Sequence, residues 1–83
     1  MPRFLLAFES THAAMAANKA LAAARPAVIP TPRAITASCG MTLRFEADDE
    51  RAAAALAATV DEARGLAALY ADEAGEYRLL ERL

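Results

Sequence analysis

Three of the four prolines, Pro26, Pro30 and Pro32, punctuate the middle of an alanine-rich chain of 83 residues. Each removes a backbone donor, fixes φ and pushes the residue before it toward extended geometry. Pro26 therefore stops any helix that reaches it. Ile29 and Thr31 precede the other two, so the stretch Ile29-Pro30-Thr31-Pro32-Arg33-Ala34-Ile35-Thr36-Ala37-Ser38-Cys39-Gly40 is expected to be stiff, extended and non-helical. It holds the only cysteine of the chain, Cys39. Gly40, beside the thiol, lets a backbone approach a ligand or partner closely. A braced loop that presents one thiol beside a glycine, with the cation Arg33 upstream, is laid out as a chemical site.

The segments around this loop set the architecture. Arg3 to Phe8 is short, apolar and aromatic toward both ends, the pattern of a buried strand. Ser10 is a good N-cap for an alanine-rich helix running to about Arg25, with Ala14, Ala17, Leu21 and Ala24 on one face. Ala27 to Ile29 is a second short strand, and Met41 to Phe45 alternates as a half-buried third. Asp48 is expected to cap a second helix whose inner face carries Leu56, Val60 and Ala63, with Gly65 as its stop. Leu66 to Ala71 is the fourth strand. After a turn at Asp72 to Gly75, residues Glu76 to Leu83 fit either a hairpin strand or a short helix.

The order strand–helix–strand–strand–helix–strand predicts an α+β fold: a ferredoxin-like βαββαβ two-layer sandwich, with a four-stranded antiparallel sheet and two helices on one face. Residues 1–71 form one domain in this reading, and 72–83 are a C-terminal extension. The core is expected from Phe4, Leu5, Leu6, Phe8, Leu21, Val28, Ile29, Leu43, Phe45, Leu56, Val60, Leu66 and Leu69. The alanines that raise the apolar fraction to 57% bury little area each.

Composition narrows the function classes. Nine basic and 11 acidic residues give a net charge of −2, Lys19 is the only lysine, and the cations are scattered. Nucleic-acid binders concentrate theirs on one face. No apolar run approaches the roughly 20 residues that span a bilayer. Phe4 to Phe8 is too short for a signal-peptide core, and one cysteine forms no internal disulfide. The expected location is the reducing cytoplasm, without a membrane or nucleic-acid partner. Asp48, Asp49 and Glu50 at a helix start read as dipole-stabilising caps, and Cys39 and His12 are too few ligands for zinc or copper within one chain. Neither a metal nor a cofactor is expected.

In this topology the start of the first helix and the loop between the second and third strands lie at the same end of the sheet. Ser10, Thr11 and His12 are therefore expected near Pro32, Arg33, Cys39 and Gly40. A helix start, His12 when protonated, and Arg33 would each favour the thiolate over the thiol.

Phe8-Glu9-Ser10-Thr11-His12, Ile29-Pro30-Thr31-Pro32-Arg33, Ser38-Cys39-Gly40 and Leu43-Arg44-Phe45 together resemble the DUF3343 family of selenium/sulfur carrier-like proteins, small bacterial single-domain proteins. The resemblance runs to about Ala71. It implies that Cys39 accepts sulfur or selenium as a persulfide or perselenide from a donor enzyme such as a cysteine desulfurase, and passes it to an acceptor protein. Ser10, Thr11, His12, Pro32, Arg33 and Gly40 would support the anion. Such a protein is a relay rather than a turnover enzyme. The chain departs from TusA-type persulfide carriers in lacking their Cys-Pro motif at the helix start. A second class also fits the residues: a small-anion-sensing or protein-interaction module in which Cys39 is packed. Alanine-rich helix faces suit sheet packing and self-association alike, so a homodimer stays open.

Overall fold

The computed structural model describes residues 1–35, 37 and 40–83. In chain order the described elements are β1 (Arg3–Phe8), α1 (Thr11–Ala20), a 3-10 turn (Ala22–Ala24), β2 (Ala27–Pro30), β3 (Met41–Glu46), α2 (Glu50–Ala58), a second 3-10 turn (Asp61–Ala63), β4 (Ala67–Glu73) and β5 (Glu76–Arg82). The sheet has five strands in the order β2-β3-β1-β4-β5, with every neighbouring pair antiparallel. The α+β class expected from the sequence holds, and the count of four strands is corrected to five. β3 lies between β1 and β2 and runs against both.

The fifth strand is the fate of the tail. Ala74 (φ 58) and Gly75 (φ 90) both take positive φ, which suits a tight two-residue hairpin turn, and the Gly75 N–H donates to Asp72 Oδ1 at 3.1 Å. Alanine does not favour this conformation, so Ala-Gly is a weak hairpin signal beside Asn-Gly. β4 continues through Asp72 and Glu73 into this turn, with a register shift opposite β5 at Leu69/Tyr70.

Strand alternation divides the core in two. On one face Phe4, Leu6, Phe8, Leu43, Phe45 and Leu69 pack with Ala13, Ala14 and Ala17 of α1 and Ala53 and Ala57 of α2. Both helices thus cover the same face. Small alanine side chains let them sit close to the sheet, while the phenylalanines and leucines of the strands supply most of the buried area. Phe4 and Phe45 face each other across β1 and β3, ring centroids 6.0 Å apart. On the other face Leu5 and Ala7 pack with Ile35, and Ile29, Ala37, Tyr70 and Tyr77 border them.

Several local expectations shift. α1 ends at Ala20 and tightens into the 3-10 turn before Pro26, instead of continuing to Arg25. Asp49, not Asp48, caps α2, its Oδ1 accepting the Ala52 N–H at 2.8 Å. Gly65 (φ 76) belongs to the turn beyond the second 3-10 segment rather than to the end of α2. Val28 on edge strand β2 is 48% exposed and Leu66 37% exposed, so neither is core. An edge strand leaves one flank of its side chains uncovered, and Leu66 lies in a turn outside β4.

Candidate functional site

The end of the sheet where β1 and β2 finish and β3 begins carries the start of α1 and the two ends of the loop after β2. Ala7 pairs with Thr42, and Pro30 pairs with Met41, so the C-terminal ends of β1 and β2 lie together. Ser10 follows β1 after a single residue and opens α1. Its Oγ accepts the Ala13 N–H at 3.2 Å and its carbonyl accepts the Ala14 N–H at 3.1 Å, which spends both groups on starting the helix. Thr11 and His12 occupy the exposed first turn. The first three N–H groups of a helix lack intrahelical partners, and the macrodipole makes this end partially positive.

The loop after β2 is pinned at its neck. The Thr31 N–H donates to the Gly40 carbonyl at 3.1 Å, extending the β2–β3 ladder by one step beyond Pro30 and Met41. Beside it, the hydroxyls of Thr31 and Thr42 share a hydrogen bond of 2.9 Å. Thr42 is fully buried, and this bond satisfies a hydroxyl that water does not reach. Pro30 at the end of an edge strand costs no ladder bond on its open side. Pro32 then starts a turn in which its carbonyl accepts the Ile35 N–H at 3.0 Å, with Arg33 exposed at the tip.

From this turn the chain tucks under the helix-free face. Ile35, only 5% exposed, seats against Leu5 and Ala7, and Ala37 borders the same cluster. Burying such a side chain stabilises the fold by about 2 kcal/mol. The loop is therefore fixed at its neck by the threonine pair and in its middle by Ile35. α1 packs on the opposite face of the sheet. The neck of the loop and the helix start share one end of the sheet, whereas the middle of the loop follows the other face.

Cys39 lies outside the described residues, as do Thr36 and Ser38. In the sequence Cys39 falls between Ala37, which borders the Ile35 cluster, and Gly40, whose carbonyl holds Thr31. A Cβ built on Gly40 meets no described atom within 4 Å, so packing of the described residues does not demand glycine there. Among the described residues His12 and Arg33 form no ion pair, and both side chains are exposed. Among the described residues no cluster of three or more histidines, cysteines or acids could hold a metal, and no helix is long and apolar enough to cross a membrane.

Thr31, Ile35 and Thr42 position this site and were not legible as functional residues. The available signals are a polar residue flanked by Met41 and Leu43 in a strand pattern, and one large aliphatic side chain isolated within a proline-rich loop. Either reads equally well as surface.

No curated protein and no solved structure matches the chain. One family model does match, over residues 3–62, which include β1 through α2 and the whole loop and leave β4 and β5 outside. The motifs that carry the resemblance all fall within this span, which stops at residue 62 and not near Ala71 as expected, and the chain belongs to the family described as "Putative Se/S carrier protein-like".

Proposed function

We propose that this protein carries sulfur or selenium on Cys39 and relays it between proteins, on a ferredoxin-like βαββαβ frame extended by β5. The observation that carries this reading is the pinned loop inside the matched span: anchors at Ile35 and at the Thr31–Gly40 step bracket the only cysteine of the chain. Anchoring the chain on both sides of Cys39 lowers the entropy cost of presenting a nucleophile to a partner enzyme.

Loading is a redox-neutral exchange. The Cys39 thiolate attacks the outer sulfur of a donor protein persulfide. The new S–S bond forms at Cys39, the donor's S–S bond breaks, and the donor leaves as its thiolate. A thiolate on the acceptor then attacks the outer sulfur on Cys39 in the same way, and Cys39 returns to its starting state. Selenium would travel by the corresponding exchange at an outer selenium. Arg33, the N–H groups at the start of α1 and, when protonated, His12 supply positive potential at this end of the sheet, and Ser10, Thr11, Pro32 and Gly40 shape it. The partners in this reading are a persulfide-forming donor such as a cysteine desulfurase and an acceptor protein, in the cytoplasm.

The test is to incubate the chain with a persulfide-loaded cysteine desulfurase and weigh it intact by mass spectrometry. The wild-type chain is expected to gain one sulfur atom that a reductant removes, and Cys39→Ser to gain none while keeping its circular dichroism spectrum. The pH dependence of Cys39 alkylation in the folded chain accompanies it, with an apparent pKa below the free-thiol value of about 8.5 expected. A wild-type chain that takes up no sulfur, and whose thiol reacts only after unfolding, sinks the carrier reading.

A further inference from the structure

At the opposite end of the sheet, three arginines line one cleft of about 250 Å³: Arg3, Arg25 and Arg44. Register explains their convergence. Arg44 on β3 pairs with Leu5 on β1 and Ala27 on β2, and Arg3 pairs with Glu46 one step further along the same face. Arg3 and Arg44 are thus diagonal neighbours on the helix-free face. Arg25 reaches the cleft from the turn before β2, where it holds a left-handed conformation (φ 53, ψ 56) and donates its N–H to the Ala22 carbonyl at 3.0 Å. Glycine or asparagine is the usual occupant of such a position after a helix. The cap fixes where the backbone of Arg25 stands beside the cleft.

The charges are not consumed internally. Among the described residues none of the three arginines forms an ion pair, and Glu46 is the only acid on the cleft wall. Asp72 on β4 stands directly opposite Arg3, as Glu46 does on β3, so three guanidinium groups face two nearby carboxylates and the excess of positive charge lies toward Arg25 and the half-buried Arg44. Planar guanidinium forks match the paired oxygens of a phosphate, two bonds at a time. The volume lies below the roughly 300–1,000 Å³ of sites that enclose drug-sized ligands. We infer that this cleft binds a small phosphate-type oxyanion, either the free ion or the phosphate of a monoester, with Arg3, Arg25 and Arg44 as its ligands and Glu46 limiting its affinity. The site does not involve Cys39 and stands apart from the carrier reading.

The experiment is a titration of the full chain with inorganic phosphate and, separately, glycerol phosphate at constant ionic strength. It is followed by NMR of the arginine side-chain Nε–H groups. Saturable shifts at Arg3, Arg25 and Arg44, with Arg33 and Arg51 unmoved, are expected. Whichever of the two probes binds more tightly identifies the form recognised. Arg25→Gly removes one guanidinium while easing the left-handed backbone, so the fold is retained, and it is expected to weaken binding roughly tenfold, the loss of one charge-assisted bond. Arg44→Gln should do the same and Glu46→Gln should tighten binding. Cys39→Ser should leave the affinity unchanged, which separates this site from sulfur loading. Shifts spread evenly over all arginines, or wild-type affinity in Arg25→Gly, overturn the inference.

Discussion

Thr42 is the one fully buried polar side chain among the described residues, and it is tied to the residue that opens the loop. A hydroxyl in that position is tolerated because Thr31 satisfies it at 2.9 Å. Replacing Thr42 by valine keeps the shape and removes the bond, so Thr42→Val is expected to cost about 1 kcal/mol in urea denaturation. A double-mutant cycle with Thr31→Val should return a coupling of about 0.5–1.5 kcal/mol. Strict additivity of the two changes would mean that the pair does not hold the neck together. The alternation Met41-Thr42-Leu43 made a strand visible in the sequence. Nothing local said that Thr42 was buried, because its neighbours Ala7 and Ile29 come from the strands on either side and its hydroxyl partner from the start of the loop.

Among the elements, the loop after β2 is the one whose behaviour depends least on regular structure. Its prolines were legible, and the described residues of the loop hold no helix, although Pro32 to Ile35 is a turn instead of the extended chain expected, closed by the Ile35 N–H on the Pro32 carbonyl. What they did not reveal is the role of Ile35, which replaces a third layer over Leu5 and Ala7 on the helix-free face. Ile35→Ala would open a cavity there and is expected to lower stability by about 2–4 kcal/mol, measured as a shift of the denaturation midpoint without a change in slope. A cost below about 1 kcal/mol would mean that the loop is not anchored through this side chain. Helix starts were easier to place than helix ends. Ser10 and the acidic run before α2 announce their caps, to within one residue in the second case. The end of α1 instead depends on how the chain must turn, ahead of Pro26, to enter β2.

At the scale of the whole molecule, the hairpin β4–β5 lies outside the span matched by the family, yet it is joined to that span through charge. Arg78 on β5 pairs with Glu50 at the start of α2 and with Glu73 on β4, the latter at 3.1 Å. The Arg78 guanidinium, by hydrogen bonding and then by charge, holds the Glu73 carboxyl below the ordinary glutamate range. The two carboxylates together raise the pKa of Arg78 further above its already high value. Because the folded-state pKa of Glu73 is depressed, its contribution is fully present above the unfolded-state value and is lost as pH falls through the folded one. Carbon-detected NMR titration is expected to show Glu73 protonating later on acidification than a free glutamate. Arg78→Ala should return it to the ordinary range, and an unchanged Glu73 titration in that variant would contradict the pairing.

Alternating apolar strands, capped alanine helices and the proline brace are short-range patterns. Steric and hydrogen-bonding rules act on them within a few residues, so the sequence alone determined the α+β class, the places of the first four strands along the chain and the stretch in which the single thiol is carried. The fifth strand, the seating of Ile35, the Thr31–Thr42 bond and the meeting of Arg3, Arg25 and Arg44 were decided only by tertiary structure. Each depends on contacts between segments distant in the chain, or on a turn such as Ala74-Gly75 whose positive φ values are sustained by the pairing of the strands it joins. Local propensity opposes that turn, and the strand pairing gained on forming β5 outweighs it.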